Sequence, residues 1–179
     1  GEHPHKVRNI LLGVGLGGCG LMVLLVVLAV TGTIVWISLG PEGGVRMANQ
    51  MEPYASRYLE EHPVLAPDET LVAYYDYTLT MDATEAAILT DQRVIYHNRD
   101  EIYAVPLAGI TGVHHETGPL VGDVITLFAE EDQTMVVDIA PLNNGNRFAM
   151  ALKAQLKAKG LDVPFETERG DSAGPSQTD

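Results

Sequence analysis

The sequence holds a single cysteine, Cys19, among 179 residues. One thiol cannot close an intramolecular disulfide or supply the paired cysteines of a zinc knuckle. The redox compartment stays open, because an oxidising compartment does not oblige a protein to carry disulfides. Basic residues are also few: 11 Lys and Arg stand against 24 Asp and Glu, a formal net charge of -13. Such a balance repels a phosphate backbone and, less steeply, an anionic lipid surface, which argues against nucleic-acid binding. Serines are scarce in the central part of the chain, and none has a nucleophile-elbow context. No glycine-rich loop leads from a strand into a helix, as phosphate-cradling folds require. These absences argue against an enzyme and give no reason to expect a cofactor.

Charge is missing altogether from residues 10–39, "ILLGVGLGGCGLMVLLVVLAVTGTIVWISL". A helix needs roughly 20 apolar residues to cross a hydrocarbon core about 30 Å thick, and a soluble core helix rarely runs this long without a polar face. One transmembrane helix is expected here, with Trp36 near an interface; two crossings do not fit. A cleavable signal peptide is the weaker alternative. Lys6 and Arg8 precede the run, but it is about twice the usual ~7–15 apolar residues and ends at no clear small-x-small site. A lipoprotein reading of "LGGC", Leu16 to Cys19, would leave most of the hydrophobic segment in the mature chain. Gly13 and Gly17 form G-x-x-x-G, which lets a second helix approach closely. Glycine is also simply common in membrane helices, and the two readings weigh equally. Lys6 and Arg8 lean toward a cytoplasmic amino terminus by the positive-inside rule.

The whole chain then reads as five parts. A short polar flank (1–9) and the span (10–39) precede a hinge and amphipathic helix (40–64), in which Pro53 either sits in the first helical turn or kinks an earlier one. From 65 to 160 the apolar period changes to two, as in "ETLVAYYDYTLT", where Leu71, Ala73, Tyr75, Tyr77 and Leu79 share one face. Further runs at "EAAILT", "RVIYHN", "EIYAVPL", "GVHHET", "DVITLFAE" and "TMVVDIA" give seven short strands. One helix follows at "NNGNRFAMALKAQLKAKG", with late lysines and a closing Gly160. Residues 161–179 are expected to be an acidic, disordered tail.

The residues Leu65, Pro67, Asp68 and Glu69, then Leu89, Thr90, Asp91, Arg93, Val94, Ile95 and Tyr96, then Val105, Pro106, Leu107, Ile110, Thr111 and Val113 recur in order. Together they resemble the bacterial pleckstrin-homology-like (PH-like) and GRAM-like families. The resemblance covers roughly residues 65–160. It implies an α+β, mainly β fold, a PH-like seven-stranded sandwich or barrel capped by a C-terminal helix, here preceded by the transmembrane helix. It also implies that Thr90 to Arg93 form a tight turn with Asp91 accepting backbone hydrogen bonds, and that Asn98 to Asp100 do likewise. The family usually places such domains in the cytoplasm, against the weak charge lean, and the family placement is followed: a single-pass protein of the cell membrane with a cytoplasmic domain.

Many PH domains hold phosphoinositides through basic residues between their first two strands. Here that loop is "TMDAT", which includes Met81 and Asp82 and no Lys or Arg, so phosphoinositide binding is not expected. The apolar loop with Pro119, Leu120 and Val121 is a second candidate contact, or a plain turn. His97, His114 and His115 are the best metal candidates. Adjacent residues of a strand point to opposite faces, however, so solvent-facing histidines are the default. The expected function is a non-enzymatic, membrane-anchored module that binds a protein or another copy of itself. A lipid-headgroup sensor without phosphoinositide specificity is the alternative, and a metal-dependent sensor or enzyme the third.

Overall fold

The computed structural model of the chain describes residues 44–170, together with Val26 and Val27. The chain divides into two units, Gly1–Glu42 and Gly43–Asp179, and the fold described is that of the second. Its described residues form nine strands: β1 (Arg46–Met47), β2 (Leu71–Asp76), β3 (Glu85–Thr90), β4 (Arg93–Asn98), β5 (Glu101–Pro106), β6 (Ile110–Gly118), β7 (Gly122–Ala129), β8 (Thr134–Ile139) and β9 (Phe165–Arg169). Two α-helices join them, α1 (Pro53–Glu61) and α2 (Gly145–Ala158).

Residues 10–39, expected to cross a membrane, lie outside the described residues except for Val26 and Val27, which are helical and exposed. Among the described residues no helix is long and apolar enough to cross a bilayer. The helices α1 and α2, 9 and 14 residues long, rise only about 1.5 Å per residue and fall short of a core about 30 Å thick. This finding overturns the transmembrane helix as part of the fold class, and with it the single-pass, cell-membrane placement. The fold class is corrected to a mostly β domain of two sheets with two helices. Gly13 and Gly17 also lie outside the described residues.

Sheet A has the order β1-β2-β3-β4-β5 and sheet B the order β8-β7-β6-β9. Every pairing is antiparallel except β6 with β9, which is parallel. The main core lies between the sheets and under α2. It gathers Ala73, Ala87, Leu89 and Val94 from sheet A, Val113, Ile125, Leu127 and Val137 from sheet B, and Phe148, Leu152 and Leu156 from α2. The opposite face of sheet A carries a second cluster. There Tyr74, Ala86, Ile88 and Ile95 pack against Ala55 of α1 and Val64, with Tyr54, Tyr58 and Leu59 at the margin. Sheet A is therefore apolar on both faces, and β3 accordingly reads "EAAILT" with no polar alternation in its middle.

Local signals set the helix ends. Pro53 occupies the first turn of α1, where its missing N–H is not needed. Helix α2 ends with Gly160 at φ +71, and Leu161 N–H reaches back to the Leu156 carbonyl, the bond pattern of a left-handed glycine cap. Two departures from the strand pattern matter. A bulge between Leu71 and Ala73 turns Leu71 to the α1 side and Val72 to the main core, the reverse of strict alternation. And Phe165–Arg169, read from composition as part of a polar tail, forms β9.

Candidate functional site

Sheet edges locate the site. Edge strands carry backbone N–H and C=O groups with no partner in the sheet, and a protein must protect or use them. On sheet A the edges are β1, only two residues long, and β5. On sheet B they are β9, whose residues after Phe165 are exposed and charged or polar, and β8. The other two edges, β5 and β8, have no further strand beside them among the described residues, and they border one cavity of about 640 Å³. Ile102, Tyr103, Ala104 and Val105 form one wall and Gln133, Thr134, Met135 and Val136 the other, with Tyr96 between them.

The direction of the edge groups follows from the ladders. Leu107 N–H donates to the Gln92 carbonyl, and Ala129 N–H donates to the Gln133 carbonyl. In an antiparallel ladder the bonded residues alternate. Tyr103 and Val105 therefore bond to β4, while Ile102 and Ala104 direct their peptide groups outward. Pro106 shares the outward parity, which is where a residue without an N–H costs the ladder nothing. By the same count Met135 and Val137 bond to β7, whereas Thr134, Val136, Asp138 and Ala140 face out.

Two of those four outward donors already have partners. Asp138 N–H donates to the Tyr77 hydroxyl at 3.2 Å and Ala140 N–H to the Tyr75 hydroxyl at 3.2 Å. Tyr75, Tyr77 and Tyr96 stack edge to face, with ring centroids 4.9 Å and 5.9 Å apart, a geometry that favours aromatic pairs. Burial pushes the Tyr77 phenol well above its ordinary value, so it stays a neutral hydroxyl. This tyrosine row closes the seam between the sheets as far as Tyr96. Beyond it the seam is open, and Thr134 and Val136 reach the cavity. Ile102, Tyr103 and Val136 are exposed large apolar side chains there.

The other polar groups are architectural. Asp76 is buried, and its carboxylate accepts bonds from the Tyr54 hydroxyl, Thr78 N–H, the Thr78 hydroxyl and Ala83 N–H, so it ties α1 and the β2–β3 connection to β2. Within that connection Met81 takes φ +52, and exposed Asp82 accepts bonds from Thr80 and Thr84. Bonds from Thr84 hold its carboxyl low, at about 2. Asp82 is thus committed to its own turn. Pro119, Leu120 and Val121 form the three-residue tip of the β6–β7 hairpin in the other sheet, with Leu120 fully outward. The structure does not bring these two sequence-selected loops into one site.

Asp91 does accept a backbone bond, but from Thr70 N–H at 2.8 Å across to the start of β2. Beside it Glu69 takes Arg93 Nε at 2.6 Å and Nη2 at 2.9 Å, plus Ala66 N–H at 2.7 Å. The Arg93 guanidinium holds the Glu69 carboxyl below its usual range. These residues of the resemblance motif form a lock between a loop and a hairpin.

The histidines are not solvent-facing as a group, which corrects the default reading. His97 and His115 are buried at 2% exposure. His97 Nε2 meets the Tyr58 hydroxyl at 2.9 Å under α1, and burial lowers its pKa. His115 Nε2 meets Asp123 Oδ1 at 2.8 Å inside the core. His114, on the opposite face of β6, lies 3.8 Å from Glu168. The three stand in three different places, and no group of three metal-ligating side chains is assembled among the described residues. Among the described residues no serine, threonine or cysteine is bonded to the His115–Asp123 pair.

The sequence pattern reads most of the groove residues as ordinary strand positions and Gln133 as part of a turn. Pro106 is the one residue whose type could have signalled an edge. No known family and no curated protein matches the chain.

Proposed function

We propose that the chain is a non-enzymatic protein-interaction module that receives a segment of a partner in the groove between β5 and β8. The observation that carries this reading is that two strand edges with no further strand beside them among the described residues, β5 and β8, face the same cavity. A volume of this order lies within the range of ligand-binding clefts. An edge left open elsewhere would invite indiscriminate pairing, whereas an edge recessed in a walled seam admits only an extended guest. The motif-level likeness to the bacterial PH-like families belongs to the same proposal.

Photo-crosslinking residues test it. Placed at Tyr103 or at Val136 of the full chain, they are expected to give discrete adducts of defined mass in the source cells. The same residue at Lys157, on the exposed side of α2, gives none of those species. Identical adducts from Lys157, or none from the two groove positions, overturn the proposal.

A further inference from the structure

On that reading of the groove, we infer that its guest is an extended, Lys- or Arg-bearing segment that adds to β8 as a further strand. The row of outward donors on β8 supplies the template. Asp138 and Ala140 N–H groups already donate to hydroxyl oxygens of Tyr77 and Tyr75. The next two outward residues, Val136 and Thr134, continue the row into the cavity. Residues two apart on a strand recur at roughly 6.6–6.8 Å, so a guest strand's carbonyls fall in register with these donors. Its own N–H groups meet the Thr134 and Val136 carbonyls. Side chains of such a guest alternate: one set enters the apolar lining of Tyr96, Tyr103 and Met135, and the other points away.

Charge selects the second set. Exposed Asp100 in the turn before β5 and exposed Glu101 at its first position stand at one wall, and the turn leading into β8 carries exposed Glu130, Glu131 and Asp132. Arg99 is the one base in those two turns. Five carboxylates at the ends of two walls attract a cationic segment and speed its capture. They repel a second copy of this chain, which carries a net charge of -13 and the same acids. A cationic, alternating segment of another protein is the occupant the surface fits.

The probe is the capped hexapeptide Lys-Val-Lys-Val-Lys-Val, with its Glu-Val counterpart and two versions N-methylated on the valines or on the lysines. Binding to the full chain is followed by fluorescence anisotropy and by amide NMR shifts. The Lys-Val peptide is expected to saturate, to shift the Thr134 and Val136 amides, and to weaken as salt rises. The Glu-Val peptide, at least one N-methylated version, and the variant Val136→Pro are each expected to bind at least about tenfold more weakly, a proline being tolerated at an outward edge position. Equal affinity of the Glu-Val peptide overturns the cationic guest. Equal affinity of both N-methylated versions, or shifts confined to other surfaces, overturns strand addition. No peptide binding while Tyr103 and Val136 still give adducts overturns this inference and leaves the groove reading standing, whereas loss of those adducts sinks the groove reading itself. A dimer in sedimentation with Thr134 and Val136 amides protected makes a second copy the occupant and overturns it as well.

Discussion

Replacing Glu69 with glutamine removes a charge from the lock that fastens residues 64–70 to the β3–β4 hairpin. The Glu69 side chain is 2% exposed and that of Arg93 28%, and the carboxylate accepts two guanidinium bonds as well as Ala66 N–H. Bonds to charged groups contribute about 1.5–3 kcal/mol each, and a neutral amide recovers part of that. It also turns a donor toward Arg93 or toward Ala66 N–H. Removing one partner of a buried pair costs about 3–5 kcal/mol, and the partial exposure of Arg93 lets water offset some of it. The expected loss is about 2–3 kcal/mol, or a fall in Tm of roughly 8–10 °C for a domain of this size. Arg93 holds the Glu69 pKa below its ordinary 4.5. The stabilisation is therefore complete above pH 4.5 and drains away as pH falls through the lower folded value. Urea unfolding of Glu69→Gln and the parent is expected to differ most at pH 7 and to converge toward pH 3. A difference below about 0.5 kcal/mol at pH 7, a gap that stays constant to pH 3, or a coupling under about 0.5 kcal/mol in a double-mutant cycle with Arg93→Gln refutes the reasoning.

Three other outcomes follow from the same geometry. Tyr75→Phe takes the acceptor from Ala140 N–H and from Asn143 Nδ2 and is expected to cost about 1–2 kcal/mol in urea unfolding; a neutral result means water replaces the hydroxyl at no cost. Gly122 has φ +77, and a Cβ there falls 2.2 Å from the Ile139 carbonyl oxygen, so Gly122→Ala is expected to lower stability by at least about 2 kcal/mol, and a Tm within 2 °C of the parent, roughly half a kcal/mol, contradicts it. His97 has its pKa lowered by burial from an ordinary 6.5. The unfolded chain then binds the proton first, so stability falls as pH drops below 6.5 and levels off under the folded value. His97→Gln is expected to flatten the urea-midpoint profile between pH 7.5 and 5.5, and an unchanged profile rejects His97 as its source.

Much of the sheet was legible because period two reports faces directly. In β8, Met135, Val137 and Ile139 are buried while Thr134, Val136 and Asp138 are exposed, as the alternation says. Alternation also placed His114 and His115 on opposite faces, but it cannot say which face points inward. Burial of His115 depends on Asp123, which sits across the hairpin on β7. The bulge at Leu71 defeated the period locally, and β9 was hidden because its pairing with β6 comes from tertiary contact and its composition is that of a loop. The apolar run at residues 10–39 gave the strongest signal in the sequence and an expectation that the described helices do not meet. Apart from Pro106, a residue type suited to an edge, the groove had no local signature. Its walls lie some thirty residues apart, and an open edge is a property of what fails to pair, which no window of sequence records.

The parallel strand β9 carries a consequence for biosynthesis. Its FETER segment covers the outer edge of β6, and it follows every other described strand in the chain. As the chain emerges in order, sheet B can assemble from β6, β7 and β8 while β6 still lacks its charged neighbour. During that interval the nascent chain shows a bare, long edge to other nascent chains. Arrival of β9 thus ends the interval in which the edge of β6 is bare, and its exposed charged side chains guard that side of the sheet afterwards.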